Sequence, residues 1–413
     1  MLMMTKRAAA GTAPPNFLWC ILYLPYGILN GYVTVTLVFD LAQAGVNTAA
    51  VAGVASLNLI PQIWKFFWAV PLDTHFTYRG WYTISTLLSG VGLALMGFIH
   101  PGISTLPLLS AAVLITTIAN TIVSMTTDAL TAHSIPTSHR GRASGWAQAG
   151  NVGGSGLGGG LGLWLAQHYS GELAAVTLGV MTIACLAGLV FIGEPEHSHR
   201  HPNFTRTLAN IRDDVWSMMR SRIGLLAMVL LLVPAATGAA SNLWGAVAVD
   251  WHANGDVVAL IAGVAGGLVS TVGCLIAGKF CDLTDHKFGY ILSAALMAVC
   301  AIFMAAAPRT PAMFIAFALL YALINGFAYA AFGAVMLEAM GKGAAATKGP
   351  ILHGLTNVPV VLMIWVDGLA QTRWGSGAML VVEGVIGFAG IGAYYLFAFA
   401  TRPRLPAIQA EAA

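Results

Sequence analysis

Long apolar runs separated by short polar intervals fill the chain from end to end. A membrane-crossing helix needs about 20 mostly apolar residues. Read at that length, about twelve stretches qualify: roughly 17–39, 49–70, 81–99, 105–127, 143–166, 173–192, 223–249, 257–280, 289–307, 312–336, 350–370 and 377–400. A membrane β-barrel would instead show short segments of alternating polarity. The first stretch is longer than the apolar core of a signal peptide and no small-residue cleavage site follows it, so it reads as a retained span. Pro25 and Gly27 in its middle predict a kink.

Composition agrees with this pattern. Of 413 residues, 58% are hydrophobic and 8% are charged, against about 25% charged in a soluble domain. A soluble enzyme, a nucleic-acid binder and a disordered chain are set aside, and a net charge of +3 gives no reason to invoke nucleic acid. Lys and Arg then orient the spans. The bases from Lys6 and Arg7, through Arg140, Arg142 and the 200–222 run, to Lys348, Arg402 and Arg404 fall on one side. Arg309 and Arg373 fall on the other. Both termini are therefore expected in the cytoplasm, with the chain multi-pass in the inner membrane. Of the five cysteines, Cys20, Cys185, Cys274 and Cys300 lie inside spans, so no disulfide framework is implied.

The longest polar interval, 193–222, divides the chain into halves 1–192 and 223–413 and reads partly as an amphipathic surface helix. The halves repeat weakly. Pro25 matches Pro234 and Asp73 matches Asp282, each at an offset of 209. Asn120 matches Asn325 at 205, and Asn151 matches Asn357 at 206. Two six-span halves in parallel repeat predict an all-α membrane protein of twelve transmembrane helices with the major facilitator architecture and a midplane site between the halves.

Polar stripes mark candidate lining. Asn120, Ser124 and Asp128 share one helix face, as do Tyr321, Asn325 and Tyr329. Tyr26 and Asn30 share a face of the first span. Tyr26, Asn30, Asn120, Asn325, Tyr329 and Asn357 are the candidate solute contacts, with Gln148, Asn151 and His353 behind them. The alternative is that these amides and hydroxyls hold helices together. Among ionisable residues at membrane depth, Asp367, Glu383 and Lys65 are the candidate coupling groups, since such residues commonly mark ion and proton paths. For the two acids the competing reading is a hydrogen bond between the last two helices. Lys65 could instead snorkel to the interface, or pair with Asp128 or with an acidic group of the cargo.

The inner loops carry a recognisable signature. Asp73-Thr-His75-Phe-Thr-Tyr-Arg79-Gly80 follows the second span, and Gly278-Lys279-Phe-Cys-Asp282-Leu-Thr-Asp285-His286-Lys287-Phe-Gly289 follows the eighth. Both resemble the loop motif of major facilitator transporters, which implies a salt-bridge gate on the inner face. Asp73, Arg79, Asp128, Arg140, Asp282 and Glu338 are the gate candidates. Asp128 is expected to accept from Arg79, and Glu338 to pair with Lys279 or Lys287. The competing reading is that these charges solvate helix ends. Leu24-Pro25-Tyr26-Gly27 and Ile63-Trp64-Lys65-Phe66-Phe67-Trp68-Ala69-Val70-Pro71-Leu72-Asp73 resemble the branch containing muropeptide permeases and acetyl-CoA transporters, with siderophore permeases also similar. That resemblance implies uptake of a large polar, often peptide- or sugar-bearing solute. The available acids and the lack of a nucleotide-binding motif make the proton the expected coupling ion, and a monomer in the lipid bilayer with no cofactor is expected. The resemblance also leaves open a non-transporting assembly factor or sensor.

Two lookalikes are set aside. Gly154-Ser-Gly156-Leu-Gly-Gly159 fits a dinucleotide fingerprint but has no strand before it. Gly150, Gly154 and Gly158, four apart, predict close helix packing instead. His197, His199 and His201 lack the fixed frame of a metal site.

Overall fold

The computed structural model describes residues 14–46, 50, 53–54, 57–58, 60–62, 65, 68, 71–72, 75–195, 204–253, 255–340 and 345–401. Every regular element among them is helical. The principal helices are α1 (Phe17–Gly31), α2 (Tyr78–Met96), α3 (Leu106–Ser134), α4 (Arg140–Gly156), α5 (Gly171–Ala184), α6 (Phe204–Arg220), α7 (Arg222–Leu232), α8 (Gly266–Leu283), α9 (His286–Ala306), α10 (Pro311–Met340) and α11 (Ala345–Ala400). Among the described residues, seven helices are long and apolar enough to cross a membrane. The expected second span, 49–70, falls largely outside them, as do Asp73 and the three loop histidines.

Short polar residues start the helices where the apolar runs begin. Thr77 caps α2 by accepting from Gly80 N at 2.9 Å. Ser170 caps α5, Ser221 caps α7, and Asp285 caps α9 by accepting from the amides of Lys287 and Phe288. Each supplies an acceptor to amides that have no partner within the helix. At Ser221 the chain bends 80° between α6 and α7. Within α11 the backbone breaks once, at Gly375 (φ 82°, ψ 175°). That left-handed φ favours glycine, and it falls between the expected spans 350–370 and 377–400.

One expected span is not continuous. The stretch 223–249 reads as a single apolar run, but α7 stops at Leu232. Val233 turns extended (ψ 144°) before Pro234, as the proline ring disfavours helix in the residue before it. Ala236 (φ 54°) and Gly238 (φ 67°) carry the chain through an open turn. A 3-10 turn, Ala239–Leu243, and a short helix, Trp244–Asp250, then resume. Tyr290 donates its hydroxyl to the freed Ala235 carbonyl at 3.1 Å. Irregular backbone at this depth needs such internal partners. Pro25, its counterpart by sequence offset, stays inside an unbroken α1.

The glycine run packs as expected. A methyl on Gly150 or Gly158 would overlap carbonyl oxygens of α1 at Cys20 and Ile28, and one on Gly154 would stand 2.7 Å from Leu24 O. Gly27 and Gly31 answer from α1 against Asn151 and Ser155. At the far end of this run both helices loosen into π turns, Tyr32–Thr36 and Leu157–Leu161, the second of which contains Gly158. Thr36 donates to the carbonyls of Gly158 and Gly159 at 3.0 and 3.2 Å, supplying a donor to carbonyls that the wider turn frees. The same glycine chemistry joins helices from opposite sides of the linker: α4 and α8 meet where Gly145 and Gly278 lie against each other.

Candidate functional site

Asp128 is the centre of a buried polar knot. It lies six residues, about 9 Å of rise, before the end of α3, and is 7% exposed. Tyr23 of α1 donates to its Oδ1 at 2.9 Å. His353 of α11 hydrogen-bonds its Oδ2 at 3.3 Å through Nε2. Lys65 is buried and acts electrostatically on both Asp128 and His353. The His353 ring also stands edge-on to Phe332 of α10, centroids 5.0 Å apart. The expected Arg79 contact is therefore not what holds Asp128. Glu194 instead accepts from the backbone amides of Tyr78 and Arg79, at 2.9 and 3.1 Å, and caps α2. Little of the Lys65 side chain is exposed, and the charge it faces is that of Asp128 rather than an outer surface.

A second tie lies at the same end of the bundle. Asp282, at the end of α8, accepts from the Arg142 amide at 3.0 Å and from its guanidinium Nε. Ser144 donates to Ala330 O of α10 at 2.7 Å. Between described residues, the side-chain hydrogen bonds and ion pairs that join helices before 193 to helices after 222 are these and the Asp128–His353 bond. Arg140, the sequence's choice at this position, is buried, and its Nε has no hydrogen-bond partner among the described residues. Burial lowers its guanidinium pKa from the ordinary value, and nearby Glu338 opposes that shift. Glu338 pairs with Lys287 at 3.2 Å, one of its two expected partners, and with His286 at 2.9 Å.

The Arg142–Asp282 pair is asymmetric, and the asymmetry is testable. The Asp282 side chain is 2% exposed and that of Arg142 is 48% exposed. Arg142→Ala leaves a buried carboxylate short of a partner, whereas Asp282→Ala leaves a guanidinium that water can reach. Arg142→Ala should cost about 2–3 kcal/mol and Asp282→Ala about 1 kcal/mol. Thermal unfolding in detergent reads both, and the reverse order would refute this account.

The remaining polar candidates divide. Asn120 is buried and donates to Tyr26 O at 3.1 Å, which ties α3 to α1, while its Oδ1 has no partner among the described residues. Asn30 is partly spent as well, accepting from Asn58 and reaching Ser155. Asn325 lies against Gly238 in the open turn that follows α7. Tyr329 differs. It sits mid-way along α10 between buried Ala328 and Ala330, yet it is 42% exposed. It also lies within electrostatic reach of Tyr26 and Tyr290. Its ring is therefore open although its neighbours along the helix are packed. Asn357, one turn past His353, is exposed too.

Glu383 and Asp367 are both buried in α11. Glu383 does not bridge the last two helices. Its Oε1 takes the Tyr321 hydroxyl of α10 at 2.5 Å and the Ala240 amide at 3.4 Å, just beyond the break after α7. Oε2 of Glu383 and both oxygens of Asp367 have no partner among the described residues. The sequence ranked His353 low and missed Arg142 and Glu194 as partners, because nothing local to a residue records what another helix brings against it.

This helical frame has known counterparts. Among solved structures, it is similar to the proton:xylose symporter XylE bound to 6-bromo-6-deoxy-D-glucose, at 16% identity and TM-score 0.66, over 93% of this chain and 96% of that one. It is similar to the human organic anion transporter MFSD10 (TETRAN) at 14% identity and TM-score 0.67, over 92% and 97%. It is also similar to the E. coli fucose:proton symporter FucP at 13% identity and TM-score 0.66, over 93% and 98%. At these identities the likeness shows the fold. No curated protein matches the chain. The family profile of the Major Facilitator Superfamily matches residues 17–349, and the chain, a multi-pass membrane protein, belongs to that superfamily.

Proposed function

We propose that the protein is a secondary active transporter that carries a polar organic solute across the cytoplasmic membrane by alternating access, with both termini in the cytoplasm. The halves before and after 193–222 rock about a space lined by Tyr26, Tyr329, Asn325 and Asn357. The observation that carries this reading is the placement of the cross-chain ties. Asp128–His353 and Arg142–Asp282 join the halves at the end that the positive charges assign to the cytoplasm. A pivoting pair of bundles needs polar ties at that end which can break for it to open. The described conformation is then closed to the cytoplasm.

Proton coupling fits the chemistry at hand. Glu383 shares a hydrogen bond with Tyr321 and touches the backbone beyond a broken helix. Broken helices in transporters commonly mark coupling and solute sites. Asp367 offers a second carboxyl in the same region. The cargo class taken from the sequence resemblance is a muropeptide, siderophore or acyl-CoA. The test is uptake into proteoliposomes of an N-acetylmuramyl peptide, a ferric siderophore and acetyl-CoA. An imposed proton gradient should drive accumulation of one of them, and Glu383→Gln should abolish the response to the gradient while leaving counterflow. Uptake indifferent to both pH gradient and membrane potential would refute the coupling.

A further inference from the structure

Lys65 is 4% exposed. Among the described residues, no hydrogen bond or ion pair ends on its ammonium. Its charged neighbours are Asp128 and His353. Asp128 has already committed one oxygen to Tyr23 and the other to His353. The carboxylate of the knot is satisfied and the ammonium is not. The Lys65 Nζ is not among the fully sealed unpartnered atoms, so an ammonium on a nearly buried side chain still faces open space, and with no acceptor of its own it gains from an oxyanion that comes within reach. Natural interiors retain such a group where something else completes it. Tyr26 stands edge-on to Tyr23 of the knot, ring centroids 5.8 Å apart, and lies within electrostatic reach of the exposed Tyr329, which brings aromatic surface to the knot.

We propose that Lys65 is the recognition point for an oxyanion of the solute, a carboxylate or a phosphate, so that the transported class is organic anions whose ring or flat body lies against Tyr26 and Tyr329. A neutral solute of the same shape leaves the ammonium without an acceptor and binds less well. Asp128 keeps the site selective for one anionic group, because a second such group beside the first would face its carboxylate. The assignment rests on the transporter reading, but its test does not use transport.

The full-length protein in detergent is titrated with sodium benzoate, phenyl phosphate and neutral benzamide, at ionic strength held constant with sodium chloride, following thermal unfolding. Wild type should bind benzoate or phenyl phosphate at least about tenfold more tightly than benzamide, the worth of one charge-assisted hydrogen bond. Whichever oxyanion binds more tightly separates a carboxylate cargo from a phosphate one. Lys65→Met should erase the preference and Lys65→Arg should retain it. Equal response to anions and amide in wild type, including no response to either, overturns the proposal. So does a preference that survives in Lys65→Met. If Lys65→Met does not fold, the wild-type ratio and Lys65→Gln decide in the same way. Failure of proteoliposome uptake would leave this binding difference standing, whereas loss of the difference with uptake intact would overturn the anion site alone.

Discussion

Asp128→Ala should be among the most damaging single substitutions in the protein, lowering stability by roughly 3–5 kcal/mol. The change removes the acceptor of the buried Tyr23 hydroxyl and one end of the Asp128–His353 tie. It also removes the negative charge beside Lys65. Breaking one partner of a buried polar set costs more than the set contributes, because the survivors stay dry and unpaired. Asp128→Asn separates the two contributions. The amide oxygen can still accept from Tyr23, but the charge opposite Lys65 is gone. Asp128→Asn should therefore recover about 1–2 kcal/mol of the loss and no more. Asp128→Ala combined with Tyr23→Phe should be less than additive, as residues in one network couple. Unfolding temperatures in detergent measure all three. A cost for Asp128→Ala below about 1 kcal/mol would show that the knot is not a structural centre.

Gly158→Ala is the second large effect. A methyl there would overlap the Ile28 carbonyl oxygen, which belongs to backbone and cannot rotate away. Overpacking costs about 1–3 kcal/mol where side chains can adjust. Here α1 and α4 must separate along their shared glycine stripe, so about 3 kcal/mol or more is expected, with poor recovery of folded protein. Gly392→Ala is the matched control. It lies in α11 with no atom within 4 Å of a new Cβ, and alanine there should be neutral or stabilising by about 0.5–1 kcal/mol. Equal effects at the two positions would refute the close-approach account of the Gly150–Gly158 run.

These two sites show where sequence reading works and where it stops. The glycine stripe is legible because spacing of four on a helix names a face, and a face of glycines at membrane depth serves close packing. Asp128 is legible as a buried acid but not as a partner of His353, which stands 225 residues away. Expecting Arg79 there was reasonable by family loop logic, but the α2 terminus is held by Glu194 instead. Asn120 matched its symmetry mate Asn325 in sequence, yet one ties two helices and the other faces an open turn.

The amino-acid sequence by itself determined that the chain is an all-helical membrane protein, and it placed the stripe that packs α1 on α4. Each follows from a local periodicity or from counting charges between apolar runs, and neither needs to know which helices touch. Only the tertiary structure decided that Pro234 breaks its helix while Pro25 does not, because a neighbour such as Tyr290 must be present to satisfy the carbonyls that a break frees. It likewise decided which buried charges are paired. Asp282 has Arg142, Glu338 has Lys287 and His286, and Asp128 has Tyr23 and His353. Pairing depends on distances between helices far apart in the chain, and in a low-dielectric interior those distances set the energy of every buried charge.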